Sequence, residues 1–273
     1  MLRVAVVGAG SVGTRHIGNL LDLGCHVDVW ESDERRRAAA AQRFPDARCL
    51  DRWSSHVQCD AMVVASPYIS HLAWAVEVER RGCALFIEKP LGDPSQLSLW
   101  RHLAAQMSNR VTQVGYQCRF HQVAQAMKLL QPAESGFFAT ACDMRTWPGK
   151  AYGPLLLEAS HDLDLALHMG APSTVTEATI DPHYVAIQLG PHWRVTLEDR
   201  ADYRREWTVE QRGQSMSVTF DRPEALGTLI YYDEMRHFIE CVSEHRQTDC
   251  PLSAGVRVLD VASQVEQMAR RAA

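Results

Sequence analysis

Short apolar runs alternate with helical patterns through the first 120 or so residues. "RVAVV" is a strand that runs into the glycine turn "GAGSVG". "SVGTRHIGNLLDLG" then carries Val12, Ile17, Leu20, Leu21 and Leu23 at mostly helical spacing and stops at Gly24. "HVDVWES" and "DERRRAAAAQRF" repeat the strand–helix order, followed by "RCL", "AMVVAS", the helix "ISHLAWAVEVERRG", the strand "CALFIEKP", the helix "PSQLSLWRHLAAQMS" and "RVTQVGYQCRFH". Apolar strands alternating with helices of about 10–15 residues predict right-handed crossovers and a doubly wound parallel sheet covered on both faces.

Beyond residue 121 the pattern changes. After the helix "QVAQAMKLLQ" come "GFFATACDMRTW", "TVTEATI", "HYVAIQLG", "HWRVTLEDR", "REWTVEQRG" and "QSMSVTF", several of them alternating and separated by Gly, Asp or Pro. They predict an open, mainly antiparallel sheet. The helical segment "LLLEASHDLDLALHMG" interrupts the series, and "DEMRHFIECVSEHR" and "AGVRVLDVASQVEQMARR" close the chain. The expected organisation is α/β, with a dinucleotide-binding domain over residues 1–121 and an α+β domain over residues 122–273 for substrate binding and oligomerisation.

Composition narrows the function classes. The 273 residues are 46% hydrophobic and 22% charged, within the range of globular proteins. A formal net charge of −5 without a block of five or more like charges gives no reason to expect a nucleic-acid partner. The early run "VAVV" is broken at once by "GAGSVG", so neither a signal peptide nor a membrane span is expected, and a cytoplasmic location is. Eight cysteines without a CxxC pair read as separate thiols in a reducing compartment, nearly all of them small buried hydrophobes. The 12 histidines show no HExxH or comparable spacing, so no metal is expected.

Gly8, Gly10 and Gly13 stand between a strand and the opening of a helix. In such a turn the first glycine permits the tight backbone, the second admits a pyrophosphate and the third lets helix and strand pack closely. Ser11 and Val12 belong to the same cradle, where the helix N-terminus offers free N–H groups to phosphates. Glu31, 18 residues after Gly13 at the end of the second strand, can accept hydrogen bonds from the adenosine ribose. It favours NAD, since it would repel a 2′-phosphate. Arg35, Arg36 and Arg37 leave NADP open, their other reading being a solvated basic helix face.

Ligands in such sheets bind outside the carboxyl ends of the strands. Three of those ends are polar here: "ASP" at 65–67, "EKP" at 88–90 and "GYQCRFH" at 115–121. With "GAGSVGTRHIGNL", "VVASPYISH", "FIEKPL", "VGYQCRFH", "LLLEASHDLDLALHMGA" and "MRHFIECV…GVRVLDVA" in this order, the chain resembles the glucose–fructose oxidoreductase and inositol dehydrogenase (Gfo/Idh/MocA) family over almost its whole length. Its opening and "EASHDLD" segment are most similar to members associated with surface-polysaccharide and unusual-sugar biosynthesis.

The resemblance implies a Rossmann domain and an NAD(P)-dependent oxidoreductase of a carbohydrate, a sugar derivative such as a nucleotide-linked sugar, or a cyclitol, working as a homodimer or homotetramer. It makes Lys89 the catalytic lysine and His161 the catalytic histidine. Ser66, Pro67 and His71 match the nicotinamide-side loop, and Tyr116 and Arg119 match residues lining the substrate site, although both could equally cap the sixth strand. It also implies a cis Lys89–Pro90 bond. A histidine carries protons near neutrality, and an ammonium stabilises developing alkoxide charge.

Glu88 points to the face opposite Lys89, towards backbone N–H groups or the cofactor. Glu158 and Asp164 flank His161 at i−3 and i+3 and could orient it, Glu158 standing in for the acid that much of the family places at the position of Leu157. His168 reads as a satisfied core residue. "WPGKAY" at 147–152 reads as a surface connection or a lid. The second domain is shorter than in many members, which suits a large substrate or a site completed by a neighbouring subunit. Two other readings remain: reduction of a C=N bond of imine or tetrapyrrole type, and a non-catalytic dinucleotide sensor, which would not need the Lys89 and His161 proton route.

Overall fold

The computed structural model describes residues 1–53, 58–143 and 158–272. Strands β1 (Arg3–Val7), β2 (His26–Trp30), β3 (Arg48–Leu50), β4 (Ala61–Val64), β5 (Ala84–Glu88) and β6 (Thr112–Gly115) form one sheet in the order β3-β2-β1-β4-β5-β6. Every pairing in it is parallel. This is the doubly wound arrangement expected from the apolar runs, with the strand order reversing between β1 and β4. β4 and β5 are buried from end to end, as strands covered on both faces must be.

Helices α1 (Ser11–Asp22), α2 (Glu34–Arg43), α3 (His71–Arg81) and α4 (Leu97–Gln106) follow β1, β2, β4 and β5. In α1 the buried residues Gly13, His16, Ile17 and Leu20 recur at helical spacing and make one stripe towards the sheet. Asp33 caps α2, its carboxylate accepting the Arg36 N–H at 2.8 Å. Right-handed crossovers place the helices that wind towards β3 on one face and those that wind towards β6 on the other. The β5 half of the first face therefore needs cover from elsewhere in the chain.

Helix α7 (Leu229–Glu244) supplies that cover. Met235, Phe238 and Val242 join Val4, Val6, Val63 and Phe86 in a single buried cluster, with the rings of Phe86 and Phe238 edge to face at 5.6 Å. The alternate positions Ala5, Val7, Met62, Val64, Leu85 and Ile87 are buried on the other face. The chain divides into two compact units, and residues Tyr231–Ser253 fall in the first with Met1–Gly92 and Ser98–Gly115.

The second unit contains Tyr116–Ile230 and Ala254–Ala273, with Asp93–Leu97. Its strands are β7 (Ser135–Cys142), β8 (Val175–Asp181), β9 (Tyr184–Leu189), β10 (Trp193–Asp199), β11 (Arg204–Gln211) and β12 (Gln214–Phe220), in the order β12-β11-β7-β10-β9-β8. All pairs are antiparallel except β7 with β10. That one parallel pair arises because helix α6 (Ser160–Met169), not a tight turn, separates β7 from β8. α6 packs against β7 and β10 and is buried at nine of its ten residues. A short α5 (Gln122–Met127) precedes the sheet, and α8 (Leu252–Ala272) ends the described chain, with Gln264 hydrogen-bonded to Val175 N and Ser173 O. The "WPGKAY" segment and Leu157 lie outside the described residues. No helix among the described residues is long and apolar enough to cross a membrane.

Candidate functional site

The candidate residues lie in both units, which are taken in turn. At the end of β1, Gly8 holds φ +96, and a Cβ on it would stand 2.7 Å from Ala65 O. A Cβ on Gly13 would stand 2.1 Å from Gly8 O, so helix and turn close on each other there. At Gly10, apart from the glycine itself and the adjoining backbone, no atom lies within 4 Å of the position a Cβ would take. Two glycines are therefore filled against backbone and one faces open space. No side chain caps α1 at Gly10, and the N–H groups of Ser11, Val12 and Gly13 are those an α-helix leaves without a partner inside itself. This pattern fits a pyrophosphate laid over Gly10 on the helix N-terminus.

Glu31 is buried beside this turn. One carboxylate oxygen accepts the Ala9 N–H at 2.8 Å and the other accepts Asp33 N–H at 2.9 Å. Burial by itself would raise its pKa, but these two N–H groups and the Arg36 guanidinium outweigh it and hold Glu31 below the usual carboxylate range. Arg36 reaches Glu31 at 3.3 Å and Arg37 donates to the Glu31 carbonyl at 2.9 Å. Two of the three helix arginines thus turn back onto Glu31 instead of forming only a solvated face, because the buried carboxylate and the carbonyl at the strand end lie within their reach.

Further along the strand ends, the Ser66 hydroxyl meets that of Ser70 at 2.7 Å, and Ser70 donates to Pro67 O. His71 opens α3 fully buried, with Nε2 2.8 Å from Ser66 O and Nδ1 3.1 Å from Pro90 O. It ties the loop after β4 to the turn after β5. Burial, the largest effect, lowers its pKa against the carbonyls that favour the charged ring. Lys89–Pro90 is cis, in line with the resemblance.

Glu88 points away from Lys89, to the α1 face. One of its oxygens lies 2.7 Å from His16 Nε2, and the other accepts the Lys89 backbone N–H at 3.1 Å. The expectation of backbone N–H partners for Glu88 holds for one oxygen only; the other meets an imidazole. His16 was not a candidate from sequence, yet a histidine on the buried stripe of an amphipathic helix requires a polar partner, and that requirement is readable in advance. Lys89 itself is half-buried at the end of β5.

In the second unit, Tyr116 and Arg119 do not extend β6. Residues Gln117–Phe120 form a 3-10 turn, which brings Tyr116, Gln117 and Arg119 to α6. The Tyr116 ring lies edge-on to His161 at 6.0 Å, and the Gln117 amide nitrogen stands 3.3 Å from His161 Nε2. An amide nitrogen donates, so this contact suits the His161 tautomer whose Nε2 is the acceptor.

Asp164 does not orient His161. It forms a buried two-point ion pair with Arg119, Nε to Oδ2 at 2.7 Å and Nη2 to Oδ1 at 2.5 Å. Burial raises the Asp164 pKa, with Arg119 opposing. A buried carboxylate this deep needs a charged donor, and Arg119 is that donor. Asp162 similarly accepts from Thr140 at 2.6 Å and from the Trp207 indole at 3.3 Å, with buried Arg205 at 3.7 Å. Glu158 is half-buried and helical, directly ahead of Ala159, the N-cap of α6, which itself holds αR backbone angles.

His168 departs from the expected satisfied core residue. Its Nε2 is buried with no hydrogen-bond partner among the described residues, and burial, aided by Arg119, Lys128 and Arg257, pushes its pKa down to about 3. Among the described residues no group of three or more His, Cys, Asp or Glu is arranged to hold a metal ion.

Residues 2–116 match the family model GFO_IDH_MocA, described as an oxidoreductase family with an NAD-binding Rossmann fold. The chain is 33% identical over 143 residues to an inositol 2-dehydrogenase of Corynebacterium glutamicum (strain R), covering 50% of this chain and 42% of that protein. It is 30% identical over 197 residues to inositol 2-dehydrogenase 2 of Saccharopolyspora erythraea, covering 66% and 57%. The matched stretches thus span about half the length of these relatives. A solved myo-inositol 2-dehydrogenase from Lactobacillus plantarum superposes over 99% of this chain and 98% of its own with a TM-score of 0.84 at 15% identity, a likeness of fold. The first unit, with the strand order and glycine cradle described above, is thus similar over residues 2–116 to the NAD-binding Rossmann domain of the GFO_IDH_MocA oxidoreductase family.

Proposed function

We propose that this protein is an NAD-dependent dehydrogenase that moves a hydride between the nicotinamide and a carbinol carbon of a cyclitol or sugar. The observation that carries the reading is the glycine cradle: Gly10 open to a ligand, Gly8 and Gly13 closed on backbone, and Glu31 beside them. The inositol 2-dehydrogenases among its relatives support the carbinol substrate class. The backbone N–H groups of Ser11, Val12 and Gly13 would hold the pyrophosphate, and Glu31 the adenosine ribose. Ser66 and Pro67 would line the nicotinamide side, in a loop that His71 braces.

When bound, NAD supplies the hydride acceptor at its nicotinamide ring. The chain must then manage the proton on the carbinol oxygen. In this reading the Lys89 ammonium stabilises negative charge growing on that oxygen, and His161 is the proton carrier, the Gln117 amide giving up its place at Nε2 to the carbinol oxygen. Tyr116 and Gln117 fix the plane and tautomer of the ring, and Arg119 acts through Asp164 to hold α6 in place.

The test is a panel of inositols and sugars with NAD, followed by the absorbance of reduced nicotinamide, for wild type, Lys89→Ala and His161→Ala. Each variant is expected to lose about 10²–10⁴ in kcat/KM on the true substrate. Wild-type turnover by both would overturn the assignment. NADP(H) binding far tighter than NAD(H) would overturn the role given to Glu31.

A further inference from the structure

Cys59 and Cys83 immediately precede the neighbouring parallel strands β4 and β5, whose register pairs Ala61 with Ala84. The Asp60 carbonyl accepts the Ala84 N–H at 2.9 Å, so the two strand entries are held together by the sheet itself. The Cys59 sulfur lies 3.9 Å from that of Cys83. Both thiols are free, as expected, but they stand in contact with each other. Cys83 is buried and Cys59 half-buried, and with Cys59 one residue from the position opposite Cys83 the two sulfurs need only close from 3.9 Å to the S–S bond length of about 2.05 Å.

We propose that Cys59 and Cys83 form a reversible, peroxide-responsive disulfide that joins the entries of β4 and β5. The accessible sulfur is the one suited to react first. The Cys59 thiol is held below its ordinary pKa, chiefly by the Cys83 thiol, and the Arg81 charge adds to this against burial. A partly exposed thiolate beside a cation with a second thiol in contact is the arrangement in which oxidation ends as a disulfide.

The Cys59 thiolate attacks hydrogen peroxide. An S–O bond forms, the O–O bond breaks, and the hydroxide released takes up a proton to become water. The Cys83 sulfur then attacks the Cys59 sulfenic acid. The S–S bond forms, the S–O bond breaks, and the departing hydroxide leaves as a second water with the Cys83 proton. Two thiols lose two electrons and one peroxide gains them. This step is independent of the proposed dehydrogenase activity.

The full-length reduced protein is treated with graded hydrogen peroxide, the remaining thiols are alkylated, and peptides are mapped by mass spectrometry under non-reducing conditions. The expected result is one dominant Cys59–Cys83 cross-linked peptide, a loss of two titratable thiols out of the eight in the chain, and recovery of both with dithiothreitol. Cys83→Ser should leave Cys59 as a sulfenic acid trapped by dimedone, and Cys49→Ser should leave the cross-link intact. Cross-links scattered among other cysteines, or Cys59 over-oxidised in wild type without the Cys83 bond, would overturn the proposal. Should Cys83→Ser fail to fold, the wild-type peptide map and its reversal by dithiothreitol still decide it.

Discussion

The buried nitrogen of His168 makes its charged form expensive in the fold. With a folded pKa pushed down to about 3 against an ordinary 6.5, the unfolded chain binds a proton that the folded chain refuses. The stabilisation from a neutral His168 is thus complete above pH 6.5 and is lost progressively as pH falls towards 3. We expect thermal unfolding midpoints to fall from pH 7 to pH 4, and His168→Leu to flatten that slope; an unchanged slope would rule out this residue as a source. The Arg119–Asp164 pair gives a sharper expectation. Asp164→Ala removes the carboxylate that faces the buried Arg119 guanidinium, and breaking a buried ion pair in this way costs about 3–5 kcal/mol. Replacing both partners by apolar residues should recover much of that loss, as measured by urea unfolding of the two variants side by side.

At the scale of elements, α1 is set by a glycine whose missing side chain is structural. Gly13→Ala would put a methyl 2.1 Å from Gly8 O, so helix and turn must part by an ångström or more. Overpacking of this kind costs roughly 1–3 kcal/mol. We expect a lowered melting temperature together with weaker NAD binding by calorimetry, since the same shift moves the helix N-terminus; loss of stability with unchanged NAD affinity would separate the two roles. α6 is organised differently. Its "SHDLD" opening is polar yet buried, and it is held by Arg119 from the 3-10 turn and by Thr140, Trp207 and Arg205 from β7 and β11. Two acids on a mostly apolar helix announce that cationic partners exist. They do not say which arginines, because those come from residues 45 positions before Asp164 and 43 after Asp162.

For the whole molecule, the first unit is not continuous in sequence. A fragment of residues 1–121 would lack Met235, Phe238 and Val242 and would leave the Phe86 side of its sheet bare. Each such buried side chain contributes about 1.5–3 kcal/mol. The fragment should therefore aggregate or melt far below the full chain, and joining residues 229–253 to it through a flexible linker should restore solubility and a cooperative transition. Equal stability of the two fragments by circular dichroism would show that α7 is dispensable.

The parallel sheet, the glycine turn and the cofactor acid could be read directly from the chain, because each is a local pattern: apolar runs at strand length, three glycines at fixed spacing, a carboxylate at the next strand end. The second sheet was legible as mainly antiparallel for the same reason. What only the tertiary structure decided is which distant residues meet. Glu88 faces His16, Asp164 takes Arg119 and not His161, Cys59 meets Cys83, and a late helix covers an early sheet. These pairings join residues 24 to more than 150 positions apart, where burial demands a partner for each polar group but sequence spacing carries no record of which partner folding brings.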